Sequence, residues 1–174
     1  MSFFDNYQKH IDNRALQNVP PLPLNAQQMD EIVALLSESK GEKKNFLVDL
    51  LTNRVPPGVD DAAYIKAGFL SAIALNKTKC PFVTKKKAIK LLGTMLGGYN
   101  IQPLIELLDD SELGEIAADQ LKNTLLMFDA FYDVEEKAKQ GNENAIAVLQ
   151  SWADAEWFLK KSDLPSEIKL MVFN

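Results

Sequence analysis

Residues 84–108 read TKKKAIKLLGTMLGGYNIQPLIELL, and this stretch decides the fold class. Thr84 can cap a helix, Ile89, Leu92 and Leu96 recur at helical spacing, and Gly97-Gly98 offers the left-handed backbone that ends one. Asn100 is placed to cap the next helix, which carries Ile101, Leu104, Ile105 and Leu108 on one stripe. Pro103 falls in its first turn, where a missing N–H is tolerated. Two short helices joined by a glycine turn make a helical hairpin.

The same pattern extends in both directions. Toward the N-terminus, Phe3 to about Asn18 reads as a helix stopped by the Pro20-Pro21-Leu22-Pro23 run. Asn25, with Gln28 three residues on, predicts a capping box before the stripe Met29, Ile32, Val33 and Leu36. Phe46, Leu47, Leu50 and Leu51 form a third helix, stopped by Val55-Pro56-Pro57-Gly58. Asp60 or Asp61 caps a fourth, with Ile65, Phe69 and Ile73 on one face and Gly68 and Ala72 on the other, the small residues predicting close approach of a neighbour. Toward the C-terminus come Leu113, Ile116, Ala117 and Leu121, then Phe128, Phe131 and Tyr132 ending near Gly141. Last is a long helix capped by Asn142 and containing Val148, Leu149, Trp152 and Trp157.

About nine short helices with two-sided burial predict an all-α α-solenoid of stacked antiparallel hairpins rather than a four-helix bundle. Leu-Leu pairs at 50–51, 91–92 and 125–126 recur at offsets of 41 and 34 residues, near the length of such repeats. The chain divides into an N-terminal helix and Pro-rich linker (1–24), the helical domain (25–161) and a tail (162–174). In the tail, Ile168–Phe173 (IKLMVF) reads as a strand, and nothing else in the sequence offers a strand to pair with it. The orphan strand predicts a following β-containing domain.

The 174 residues are 47% hydrophobic and 25% charged, ordinary for a folded protein. A single cysteine excludes an internal disulfide and fits a reducing compartment. With neither a basic-then-apolar leader nor a membrane-length apolar run, the reading is soluble and cytoplasmic, with no membrane contact.

Charge is unevenly spread. Residues 1–61 carry nine acids and six bases, residues 106–174 fifteen acids and six bases, and residues 62–105 no acid and seven lysines. Six of these, Lys77, Lys79, Lys85, Lys86, Lys87 and Lys90, are the candidate anion- or RNA-facing surface. A solvated face is the ordinary reading of such a block. Three lysines in a helix's first turn nevertheless oppose its macrodipole, which favours attraction of anions. No arginine occurs in 62–105, so bidentate phosphate clamping is absent and any RNA contact is expected to be weak.

Other chemistry is missing. Cys80 and His10 are the only residues of their kinds, too few for an iron–sulfur or structural zinc site. No phosphate-cradling, dinucleotide or nucleophile-elbow motif occurs. The pairs Asp60-Asp61, Asp109-Asp110 and Glu135-Glu136 read as capping or solvated charge, and Phe128, Phe131, Tyr132, Trp152, Trp157 and Phe158 as core. No catalytic, cofactor-binding or metal-ligating residue is assigned.

Four stretches carry a family resemblance: Leu50 to Leu70 (LLTNRVPPGVDDAAYIKAGFL), Leu91 to Asp109 (LLGTMLGGYNIQPLIELLD), Leu125 to Ala138 (LLMFDAFYDVEEKA) and Gln150 to Phe158 (QSWADAEWF). They resemble the N-terminal HEAT-like domain of bacterial aconitase B, the aconitate hydratase 2 and 2-methylisocitrate dehydratase family. The resemblance implies a right-handed helical stack preceding a swivelling domain. It also implies a parent enzyme that interconverts citrate and isocitrate on a [4Fe–4S] cluster held by later domains, with no cofactor in this chain. Implied partners are the remaining aconitase domains or another subunit, a second copy in a homodimer, and mRNA. Gln102 stands where the family tends to have His, at a position with no assigned chemistry. Two functions follow: a non-catalytic domain supplying association and substrate access, or a stand-alone solenoid adaptor or mRNA-binding regulator that kept the fold.

Overall fold

The computed structural model describes residues 2–38, 43–124 and 130–155. Among these it contains nine α-helices and no strand. They are α1 Phe3–Ala15, α2 Ala26–Ser37, α3 Lys44–Asn53, α4 Asp61–Ala74, α5 Lys85–Leu92, α6 Ile101–Glu106, α7 Gly114–Lys122, α8 Phe131–Lys139 and α9 Glu143–Ala153. A 3-10 turn, Leu107–Asp109, extends α6. The tail and its strand-like segment, Leu125-Leu126, Phe128, Trp157 and Phe158 lie outside the described residues.

Local chemistry sets the starts of most of these helices. The Asn25–Gln28 capping box forms in both directions, at 2.9 and 3.0 Å. Asp60, rather than Asp61, caps α4 through the Ala63 N–H, Thr84 caps α5 through the Lys87 N–H, and Asn142 caps α9 through the Ala145 N–H. Each cap satisfies a donor that the first helical turn leaves unpaired, worth about 1 kcal/mol. α1 stops at Ala15, short of the expected Asn18, which adopts a left-handed φ of 55°. The proline run that follows is tied down: Arg14 Nε donates to the Pro20 carbonyl, Leu22 N–H donates to His10 Nε2, and the Arg54 guanidinium donates to the Pro21 carbonyl.

The helices stack in series. α2 packs on α4, α4 on α5, α5 on α7, and α7 on α9, with α3 against α2, α6 against α5 and α7, and α8 against α9. This is an all-α, solenoid-like arrangement. One continuous core runs through it, with Met29, Ile32, Leu36, Leu47, Leu51, Leu70, Ile89, Leu92, Leu104, Ile105, Leu108 and Leu121 fully buried. Each such side chain contributes about 1.5–3 kcal/mol relative to leaving it exposed. α1 docks on α3 through Phe4 and Tyr7, both in ring contact with Phe46.

The deciding stretch folds as a hairpin, but with a different joint. α5 ends at Leu92, five residues before Gly97, and Leu96 is 78% exposed rather than part of the buried stripe. The cause is Asn100. Its side chain does not cap α6; it turns back and donates to the carbonyls of Leu92 (2.8 Å) and Met95 (3.2 Å). Fully buried, it closes the end of α5 from the far side of the turn. Gly98 still takes the left-handed φ, 85°.

Two packing expectations also change. Gly68 faces open space, and the close-packed small residues of α4 are Ala62, Ala63, Ala67 and Ala74. Phe131 and Tyr132 are not core: they are 41% and 71% exposed, and Val134 is the buried residue of α8.

Candidate anion-facing lysine surface

The loop between α4 and α5 sets this surface. Leaving α4, the chain turns through Asn76 at a left-handed φ of 59°, and the Lys77 and Thr78 N–H groups both donate to the Ala72 carbonyl. That turn presents Lys77 and Lys79 to solvent. Val83 then plugs the core, and the Thr84 cap starts α5. Ala88, Ile89, Leu91 and Leu92 face inward, so Lys85, Lys86 and Lys90 face out and Lys87 lies half-buried.

The six lysines do not converge on one point. Lys79 and Lys85 line a cleft of 420 Å³ with Asn76, Thr78 and Cys80. Lys87 lines a second cleft, of 540 Å³, against α3, with Lys44, Asn45, Asp49 and Phe82. Lys77, Lys86 and Lys90 line neither. Among the described residues none of the six forms an ion pair.

Spatial neighbours alter the charge picture drawn from sequence. Lys44 joins the surface with its ammonium 5.4 Å from the Phe82 ring centroid, a contact joining residues 38 apart that no local pattern could reveal. Asp49 enters the same cleft. Asp110 lies within the field of Lys85, and its carboxyl is held below the usual range chiefly by the Glu112 and Leu113 N–H groups, with Lys85 a smaller influence. A stretch free of acids in sequence is therefore not free of acids in space.

The seventh lysine of the block behaves differently. Lys66 is 3% exposed, and its ammonium donates to the Thr52 carbonyl, near the end of α3, at 3.4 Å. Burial pushes its pKa below the ordinary value of 10.5. A lysine in a strongly helical segment reads as solvated, so nothing in the sequence marked this one.

A [4Fe–4S] cluster does not fit these residues. It needs several thiolates, and Cys80, the only one in the sequence, donates its Sγ–H to the Leu36 carbonyl at 3.4 Å. Among the described residues no group of three or more His, Cys, Asp or Glu could hold a metal ion. No helix among them is long and apolar enough to cross a membrane.

A family model described as the aconitate B N-terminal domain matches residues 6–158. The chain belongs to that family. It is 59% identical over 169 residues to aconitate hydratase B of Escherichia coli (strain K12), covering 97% of this chain and 20% of the relative. Against aconitate hydratase B of Pseudomonas aeruginosa (strain PAO1) it is 58% identical over 167 residues, covering 96% and 19%. Against that of Helicobacter pylori (strain J99) it is 42% identical over 175 residues, covering 98% and 20%. The chain thus spans about 20% of the length of the curated relatives it matches, and the aconitase B family supplies its context.

Proposed function

We propose that this domain makes and breaks no bonds, and serves an aconitate hydratase B as a scaffold for association and for access of anionic substrate. The observation that carries this reading is the end-to-end similarity to one-fifth of enzymes named for hydrating aconitate, in a chain with one cysteine and one histidine. The chemistry, including a [4Fe–4S] cluster, then belongs to the remaining polypeptide. The six exposed or half-exposed lysines on the α4–α5 loop and the start of α5 form a positive rim that raises the local concentration of carboxylate substrates. A homodimer contact is compatible with this scaffold role, and the setting is the cytoplasm.

Loose RNA contact through the same lysines is the weaker reading. Its support is the exposed lysine cluster; against it stand the net charge of −5 and the absence of arginine from 62–105. To test the non-catalytic role, the isolated chain is reconstituted anaerobically with iron and sulfide. It should develop no cluster absorbance band and turn over neither citrate nor isocitrate. A band or turnover would overturn the reading.

A further inference from the structure

Three large apolar side chains stand in solvent around one junction: Val59 at 75% exposure, Tyr64 at 56% and Leu96 at 78%. Two loops meet there, residues 56–60 before α4 and residues 93–100 between α5 and α6. They are joined at several points. The Leu96 N–H donates to the Pro57 carbonyl at 2.7 Å, the Tyr99 hydroxyl donates to the Gly58 carbonyl, and the Tyr64 and Tyr99 rings lie 4.2 Å apart. A Cβ at Gly97 would overlap the Tyr99 ring, so glycine lets that ring lie flat across the turn. Burial, then the neighbouring Asp60 and Tyr64, raise the Tyr99 pKa above its ordinary value of 10.0.

These contacts tie the two loops together while the apolar side chains of the junction remain uncovered. Single exposed apolar side chains are normal on a surface, whereas a group gathered at one junction suits an interface. Asn100 closes the end of α5 at Leu92, and Leu96, beyond that end, stands in solvent. Two carboxylates border the group, the exposed Asp60 and Asp61.

We infer that the Val59–Tyr64–Leu96 platform is the face on which the remaining domains of the same polypeptide dock, through an apolar contact flanked by cationic side chains opposite Asp60 and Asp61. The inference rests on the proposed role as one part of a larger enzyme. The relatives extend over about five times the length matched here, so on the proposed role this domain meets a large stretch of its own polypeptide. Tethering makes such a contact intramolecular, which favours it over a second copy.

The test places single cysteines in the full-length protein, Leu96→Cys and Val59→Cys, with Leu16→Cys as the reference, since Leu16 is 82% exposed at the C-terminal end of α1. All three sites are exposed in the domain, so none of these changes threatens folding. Maleimide labelling is followed by peptide mass spectrometry alongside the intact mass. Residues 96 and 59 should label at least about tenfold more slowly than residue 16, at every protein concentration. Equal labelling would overturn the docking face while leaving the larger-enzyme reading intact. Protection lost on dilution would overturn it in favour of a second copy. An intact mass of only 19.4 kDa would overturn both readings together.

Discussion

Between α2 and α5 the facing side chains are aliphatic and fully buried: Met29, Ile32, Leu36, Leu70, Ile89 and Leu92. At the other end of the described residues, α8 and α9 bury only Val134, Ala145 and Val148, while Phe131, Tyr132 and Ile146 remain in solvent. Polar joints fill the gap. Asn142 donates to the Leu108 carbonyl (3.0 Å) and to Asp109 (2.7 Å), Asn144 donates to the same carbonyl, Lys137 pairs with Asp109, and Trp152 Nε1 donates to the Leu121 carbonyl. The first region is held by non-directional burial, and the second by directional bonds worth about 1 kcal/mol each. Apolar packing thus joins α2 to α5, and specific polar contacts position the α8–α9 hairpin.

The two regions make unequal demands on substitution. Leu92→Ala should cost about 2–5 kcal/mol, because it leaves a cavity between helices that cannot close. Asn142→Ala removes both the α9 cap and the joint to Leu108 and should cost about 1–2 kcal/mol. Urea unfolding of the two variants measures the difference. Equal losses would mean that the α8–α9 end carries as much of the stability as the aliphatic core.

Lys66 gives a smaller effect of opposite sign. Its folded pKa is lowered by burial, so the unfolded chain binds the extra proton in the window between that value and 10.5. Stability should therefore rise as pH climbs through that window, and the charged-state penalty should be fully present below it. Lys66→Met removes the penalty at the cost of a long hydrogen bond to Thr52. The variant should match or exceed the parent by up to about 1 kcal/mol at neutral pH and lose the alkaline rise. Destabilisation beyond about 1 kcal/mol would mean that the ammonium closes the end of α3 more strongly than burial opposes it.

Much of this molecule can be read along the chain because caps are local. Asn25 with Gln28, Asp60, Thr84 and Asn142 each bond within three residues, and each was legible as a side-chain type before an apolar stripe. The end of α5 was not, since Leu96 continues the spacing of Ile89 and Leu92 and the side chain that intervenes comes from Asn100, beyond the glycines. The lysine surface was half legible. Composition located its six residues, whereas the burial of Lys66 and the entry of Lys44, Asp49 and Asp110 depend on helix packing. The outward turn of Phe131 and Tyr132 likewise runs against their apolar character, and only tertiary packing decides it.

We propose that this domain governs access to chemistry performed elsewhere. The most direct measurement replaces Lys85, Lys86 and Lys87 with Gln in the full-length enzyme and follows citrate turnover across ionic strength. Steering predicts that kcat/KM falls by about two- to tenfold at low salt with kcat unchanged. The deficit should close as the screening length shrinks below about 8–10 Å. Unchanged kcat/KM at every salt concentration would contradict the account and leave these lysines as a solvated helix start.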